Sequence, residues 1–350
     1  MATIVLTGGG TAGHCTPHLA ILPYIKNDFD KIFYIGSENG IEKNIIKKEN
    51  IPYYSIPCAK LIRNFTLKNL KIPIKVISGI SKAGKILDQI KPDVIFSKGG
   101  YVSLPVILAG KKRKIPIITH ESDYTIGLTN KICAKYCKKV LTAFPETAKS
   151  LPNGEFVGAP IRQSIFNINK EDALAQFGFN GQKPVLLVTG GSQGATYINN
   201  VLISALPDLL PKYNVLHICG KNNLIKEKTP QGYFQTEFLS NMGLAFSIAS
   251  VCLSRAGSNT VFELMYLKIP TILVPLPKTS SRGDQILNAK YFQKLGLATV
   301  IEQDCLTEKS LVTAINGAYS NRFNLQNSFN STPINDASRQ ISRIIVDCLH

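Results

Sequence analysis

Short, unbroken apolar runs bounded by glycine- or serine-rich turns recur along the chain, with helix-period segments between them. In the first half they fall at 3–7 (TIVLT), 31–35, 53–56, 94–97, 115–119 and 139–142. In the second half they fall at 184–189 (PVLLVT), 214–218, 251–253, 271–274 and 298–301. A run that is apolar at every position predicts a strand covered on both faces, which is the parallel sheet of an α/β fold. Helices are expected at 17–25, from 195, from 258 and over 337–349. That alternation predicts a doubly wound sheet. The pattern thins over 145–162, where LPNG and GAP read as turns. This places one domain at 1–160 and a second at 161–336, followed by a helix at about 337–350. The stretch 321–335 is polar and reads as turns. Strand, glycine loop and helix recur half a chain apart, a coarse internal repeat. The fold expected is α/β, two Rossmann-like doubly wound domains facing across a cleft.

In such sheets ligands bind beyond the carboxyl ends of the strands, so the turns there carry the chemistry. Three in the first half are GGGTAGH (8–14), SKGGYVS (97–103) and HESD (120–123). In the second half VCLSRAGSNTVFE (251–263) is strand, glycine turn and helix, with Ser258 or Asn259 as the expected N-cap. Such a turn aims backbone N–H groups and a positive helix end at one point, which suits a phosphate. Glu263 could then accept from a ribose hydroxyl pair, and Gln285, in RGDQILNAKYF (282–292), could meet a second sugar. An anion end beside a polyol end suggests a sugar nucleotide; the plain alternative is an ordinary turn with a solvated Glu.

Other motifs exclude rather than assign. Gly8, Gly10 and Gly13 spell GxGxxG, but only Glu38 offers itself as the acidic partner after the second strand, and no Walker A sequence is present. Asp28 and Asp30 form a DxD pair in a helix-to-strand connection, the wrong end of the sheet for metal. His14 closes the first glycine loop at a helix N-terminus, where the helix dipole favours the neutral, basic imidazole; capping or packing is the alternative. His18 is one turn further on, without a third ligand nearby, so no metal is expected. His120 and Glu121 read as either functional or structural. Arg162 is a hinge cation able to meet a phosphate or a surface carboxylate.

With 350 residues, 44% hydrophobic and 18% charged, the chain is globular and long enough for two domains. Its eight cysteines are scattered, without CxxC or zinc spacing, and are expected as free thiols. Neither a signal peptide nor a membrane-spanning run is read. Charge changes the picture. Residues 1–165 hold 24 Lys and Arg against 11 Asp and Glu, and residues 166–350 hold 16 against 12. Within the first half, 59–87 carries Lys60, Arg63, Lys68, Lys71, Lys75, Lys82 and Lys85 with no acidic residue, interleaved with Leu61, Ile62, Phe65, Ile72 and Ile74. Basic and apolar residues so mixed fit an anionic membrane surface. A solvated face over a buried apolar stripe is the alternative, and nucleic acid fits less well.

Assembled in order, GGGTAGHCTPHLAI, SKGGYVSLP, HESDYTIGLTNK, GAPIR, VTGGSQGA, SRAGSNTVFE, IPTILVPLP and DQILNA resemble the MurG family of bacterial glycosyltransferases across almost the whole chain. The resemblance implies the GT-B architecture and transfer of N-acetylglucosamine from UDP-GlcNAc to the C4 hydroxyl of the muramyl sugar of lipid I. Lipid II forms with inversion, without metal or other cofactor, at the cytoplasmic face of the cell membrane, to which the protein binds peripherally. It implies donor contacts mainly in the second domain. There Arg162 and Ser192 would meet the diphosphate, with Gly191 and Gln193 beside them. Leu239 would lie at the uracil, Ser258, Asn259 and Thr260 at the helix start, Glu263 on the ribose, and Asp284 and Gln285 on the GlcNAc hydroxyls. Thr11, Ala12 and Gly13 would approach from the first domain, with His14 as general base. The final helix would return to the first domain. Two departures stand out. Many members have Asn where Asp123 stands, and Gly where Ala12 stands, so Ala12 requires a negative φ. Lys68, Lys71 and Lys75 become membrane contacts under this reading. The partners implied are UDP-GlcNAc, lipid I and an anionic membrane, with no nucleic acid.

Two rivals share the fold. A diacylglycerol sugar transferase would differ in acceptor. A UDP-GlcNAc 2-epimerase would need neither lipid nor a basic apolar stretch.

Overall fold

The computed structural model describes residues 2–59, 72–191, 194–225, 229–332 and 334–349. They form two compact units, Met1–Arg162 with Asp336–His350, and Gln163–Asn335. Strands and helices alternate in each.

The first unit runs β1 (Thr3–Thr7), α1 (Thr16–Ile25), β2 (Lys31–Ser37), α2 (Ile41–Lys47), β3 (Tyr53–Ile56), α3 (Ile72–Ile90) and β4 (Val94–Ser97). It continues with α4 (Ser103–Lys112), β5 (Ile117–Glu121), α5 (Leu128–Cys133), β6 (Lys139–Thr142), α6 (Pro145–Lys149) and β7 (Gly154–Phe156). Its strands are parallel, in the order β3-β2-β1-β4-β5-β6-β7. Side chains alternate across the sheet. Ile4, Leu6 and Phe96 therefore join one core with Ile21 and Ile25 of α1. Val5, Ile35 and Ile95 join the other with Ala83, Leu87 and Val106 of α3 and α4.

The second unit runs α7 (Lys170–Gln176), β8 (Val185–Thr189), α8 (Thr196–Leu209), β9 (Asn214–Ile218), β10 (Tyr233–Thr236), α9 (Met242–Ile248) and β11 (Ala249–Ser254). It continues with α10 (Ser258–Tyr266), β12 (Thr271–Leu273), α11 (Asp284–Lys294), β13 (Ala298–Val300), α12 (Glu308–Ser320) and α13 (Arg322–Ser331). The parallel order is β10-β9-β8-β11-β12-β13. Strand order reverses direction between β1 and β4 in the first sheet and between β8 and β11 in the second, and each such switch point opens a crevice at the strand ends.

The structure departs from the sequence pattern in six places. Strand β5 begins two residues later than the apolar run at 115–119, because Ile115 N–H closes α4 on Gly110 O and Pro116 has no N–H to give. Its ladder with β6 then carries His120 and Glu121 into the sheet. Strands β7 and β10 sit among turn residues that hid them. The polar stretch 321–335 contains α13, anchored by Phe329 at 2% exposure. Helix α10 is capped by Gly257 in extended conformation, so Ser258 is its first residue rather than its cap. The break between units follows Arg162, because Ile161 N–H donates to Asp336 Oδ1 at 2.9 Å and Ala337 N–H to Ala159 O at 3.1 Å. Those bonds lead into α14 (Ser338–Val346), whose Ile341, Ile344 and Ile345 complete the α1 core of the first unit.

Candidate functional site

The switch point of each unit carries a glycine turn. In the first unit β1 ends at Thr7, residues 8–10 form the loop, and Ala12–His14 make a 3-10 turn before α1. That turn is right-handed with negative φ, which answers the requirement at Ala12. Thr11 and Gly13 are exposed and His14 is half-buried, with Nδ1 2.8 Å from Thr11 Oγ1. The loop after β4 packs directly on it: Lys98 N–H donates to Thr7 O at 2.9 Å. A Cβ on Gly100 would stand 2.2 Å from Gly9 O and 3.3 Å from His14 Cγ, and Gly100 has φ +77°. Only glycine fits there, so SKGG and GGGTAGH meet backbone to backbone beside the imidazole.

Lys98 points into the protein at 2% exposure. Its Nζ donates to Ser122 Oγ at 2.7 Å and to His120 Nδ1 at 2.5 Å, while His120 Nε2 lies 2.9 Å from Gly158 O. The ammonium can only donate, so His120 is neutral with its proton on Nε2. Burial drives the Lys98 pKa down to about 7 against the opposing charges of Glu121 and Asp123. Burial, with Lys98 beside it, holds His120 well below the ordinary imidazole value. Glu121 is a loop organiser: its carboxylate accepts from Asp123 N–H at 3.1 Å, Gly127 N–H at 2.8 Å and Asn130 Nδ2 at 3.0 Å. Asp123 is thus tied to the end of β5 by its backbone. His18 is fully buried, edge-on to Tyr34 and Phe96. Asp30 accepts from Ala2 N–H at 2.6 Å, at the opposite end of the sheet from these turns. Arg162, half-buried, is the last residue of this stretch of the first unit.

In the second unit the turn after β8 contains Gly191, with φ +81°; Ser192 and Gln193 lie outside the described residues. The neighbouring turn leads from β11 through Arg255–Gly257 into α10. Ser258 is buried, Asn259 and Thr260 half-buried, and Glu263 is 3% exposed on the same helix. Arg255 is buried: Nη1 donates to Val274 O at 3.1 Å and Pro275 O at 3.3 Å, and Nη2 to Gln303 Oε1 at 2.7 Å. Burial lowers its pKa from the ordinary guanidinium value. It ties the β11 turn to the end of β12. Gln285 Oε1 accepts from Leu276 N–H at 3.1 Å, and Asn288 Nδ2 donates to Ala256 O at 3.2 Å. Helix α11 is therefore stapled to the glycine turn, bringing 251–263 and 282–292 together. Asp284 is half-buried, 3.6 Å from Arg282 Nη2. Leu239 is half-buried in the connection after β10.

Lys75 is exposed on α3, whereas Lys68 and Lys71 lie outside the described residues. Ile74 and Ile77, at 69% and 67% exposure, share the first turns of that helix.

Sequence reasoning missed Glu42, Lys98, Asn130, Arg255 and Asn288 as organisers of these turns. Lys98, Asn130, Arg255 and Asn288 stand inside the motifs but had no role read for them; Glu42 gave no local signal.

Two family models match the chain: the glycosyltransferase family 28 N-terminal domain over residues 4–142 and the glycosyltransferase family 28 C-terminal domain over 185–342. The chain is 43% identical over 349 residues to a UDP-N-acetylglucosamine--N-acetylmuramyl-(pentapeptide) pyrophosphoryl-undecaprenol N-acetylglucosamine transferase of Clostridium botulinum, covering 99% of each. It is 48% identical over 316 residues to transferase 3 of the same description from Bacillus thuringiensis, covering 89% of this chain and 90% of the relative. Among solved structures, MurG of Acinetobacter baumannii superimposes with a TM-score of 0.75 at 24% identity, over 99% of this chain and 100% of the other. The glycosyltransferase of kitacinnamycin gives 0.74 at 12% identity, over 100% and 99%. These structural likenesses establish the GT-B fold.

Proposed function

The chain belongs to glycosyltransferase family 28, in its MurG group, and from that membership we propose how its two glycine turns share one reaction. It is a UDP-GlcNAc-dependent N-acetylglucosaminyltransferase that acts on lipid I to give lipid II for peptidoglycan synthesis; we propose that the acceptor is the C4 hydroxyl of MurNAc and that transfer proceeds with inversion. The observation that carries the reading is identity spread along the whole length of both chains.

We assign the donor to the second unit. The diphosphate is given to Ser192, with Gly191 and Gln193, to the start of α10 at Ser258–Thr260, and to Arg162. UDP leaves as an anion, so N–H groups and a helix N-terminus aimed at it stabilise charge that grows in the transition state. Glu263 takes the ribose, Leu239 the uracil, and Asp284 and Gln285 the GlcNAc hydroxyls. Thr11, Ala12 and Gly13 of the first unit are assigned the donor's sugar side, with Asp123 a further candidate. His14 is assigned the acceptor proton. We assign the tautomer in which Nδ1–H donates to Thr11 Oγ1, 2.8 Å away, so that Nε2 is the basic atom that removes the C4 hydroxyl proton during attack.

The acceptor's lipid tail calls for a membrane surface. We assign that contact, on the cytoplasmic face, to Lys68, Lys71 and Lys75. Exposed Ile74 and Ile77 beside Lys75 support it, and among the described residues no helix is long and apolar enough to cross a membrane. No nucleic-acid partner is proposed.

The test is radiolabel transfer from UDP-GlcNAc to a short-chain lipid I analogue in EDTA, with diacylglycerol run alongside. Labelled lipid II analogue is the expected product. Label on diacylglycerol alone, or on neither, overturns the assignment.

A further inference from the structure

Glu42 is the most deeply buried acid of the first unit, with 0% exposure, and lies beneath the first glycine loop. Its Oε2 accepts from Gly10 N–H at 3.2 Å. Its Oε1 accepts from Ser37 N–H at 3.1 Å and from Ser37 Oγ at 2.5 Å. A Cβ on Gly9 would stand 2.6 Å from the Glu42 Cδ and Oε1 atoms, so the loop backbone rests directly on the carboxylate. Tyr34 OH fixes the other end of the loop by donating to Gly8 O at 2.7 Å. A carboxylate is costly to bury unless its oxygens are hydrogen-bonded. Here they are, and bonds to an ionised acceptor are the strong ones. The residue after Gly10 is Thr11, whose carbonyl accepts His14 N–H at 3.2 Å and whose hydroxyl meets the imidazole. A linkage of bonded groups thus runs from Glu42 through Gly10 and Thr11 to His14.

We propose that Glu42 is a positioning residue of the transfer reaction: its carboxylate sets the glycine loop so that the turn it opens presents the His14 imidazole. By occupying Gly10 N–H it also withdraws that donor from any anionic ligand. The first loop then works as a rigid mount for a base, in contrast to the phosphate role assigned to the second. The proposal rests on His14 being the base.

The test is steady-state transfer to the lipid I analogue by Glu42→Ala, Glu42→Gln, His14→Ala and the double variant Glu42→Ala/His14→Ala. Thermal melting and UDP-GlcNAc binding are measured on each. Glu42→Ala is expected to lower kcat by about 100-fold, the scale of an ångström's misplacement of a reacting group, with KM for UDP-GlcNAc unchanged. Glu42→Gln is expected to recover most of that loss, since its amide oxygen still accepts from Gly10 N–H. In the His14→Ala background Glu42→Ala should cost almost nothing more, because the group it positions is gone. Parent-like kcat in Glu42→Ala, or an equal loss in both backgrounds, overturns the proposal. Should Glu42→Ala fail to fold, Glu42→Asp replaces it: one methylene shorter, it keeps the charge but leaves Gly10, and parent-like kcat there overturns the proposal equally. Parent-like turnover of His14→Ala removes the base assignment itself. Full activity of Glu42→Ala beside an inactive His14→Ala removes only the role of Glu42.

Discussion

Lys98 carries its amino group at 2% exposure, and the cost of charging it there appears as a pKa of about 7 against an ordinary 10.5. Below pH 7 the folded and unfolded chains both carry the proton. Between about 7 and 10.5 the unfolded chain binds more protons, so stability rises with pH across that window. Lys98→Met should remove this rise: denaturation midpoints measured from pH 6 to 10 should climb in the parent relative to the variant, and parallel curves would refute it. His14 lies a short distance away and tests differently. His14→Ala should lower turnover by about 100-fold, the usual scale for a lost general base, while UDP-GlcNAc binding by the second unit stays intact. Turnover within a few-fold of the parent would remove His14 from the chemistry.

At the scale of elements, α3 has two characters. Its later turns bury Gly79, Ala83, Gly84, Ile86 and Leu87, whereas its first turns expose Ile74, Lys75 and Ile77. Apolar side chains held in water next to Lys75 are suited to the headgroup region of an anionic bilayer. A lysine at an anionic surface contributes about 1 kcal/mol, so under the proposed membrane contact Lys68, Lys71 and Lys75 changed together to Glu should weaken binding to anionic vesicles by at least about 100-fold at low salt. The difference should shrink as salt rises. Co-sedimentation with phosphatidylserine vesicles reads this directly, and unchanged binding would sink the assignment. Arg255, Asn288 and Gln285 show a second elemental principle: in the second unit the glycine turn, the end of β12 and α11 are fastened by side chain to backbone bonds. Under the proposed donor assignment, such a turn needs little rearrangement as charge develops on the leaving group.

For the whole molecule, the first unit closes only when the chain returns. Helix α14 seals the α1 face with Ile341 and Ile345, both at 0% exposure, after the entire second unit has been made. Ile341→Ala should cost the first unit about 2–5 kcal/mol, as other large-to-small core changes do. Donor binding at the second unit should be spared. Calorimetry with UDP-GlcNAc titration separates the two effects, and a loss below about 1 kcal/mol would show that Ile341 does not seal this core.

Local chemistry was enough to mark most of this design. Apolar runs and glycine turns are written in neighbouring residues, so nearly all strands and both switch-point turns, with His14 closing the first, were legible from the sequence. Strands β7 and β10 and helix α13 were not, since turn residues and polar composition masked segments that tertiary packing holds in place. The side chains that fasten the turns were hidden for a different reason. Glu42 meets Gly10 across 32 residues, Lys98 meets His120 across 22, and Asn288 meets Ala256 across 32. Periodicity carries no information about such distances. The sequence determined the strands, the turns and the kind of chemistry they offer; only the fold decided which buried charges hold those turns still, because a charge is buried by parts of the chain that lie far from it in sequence.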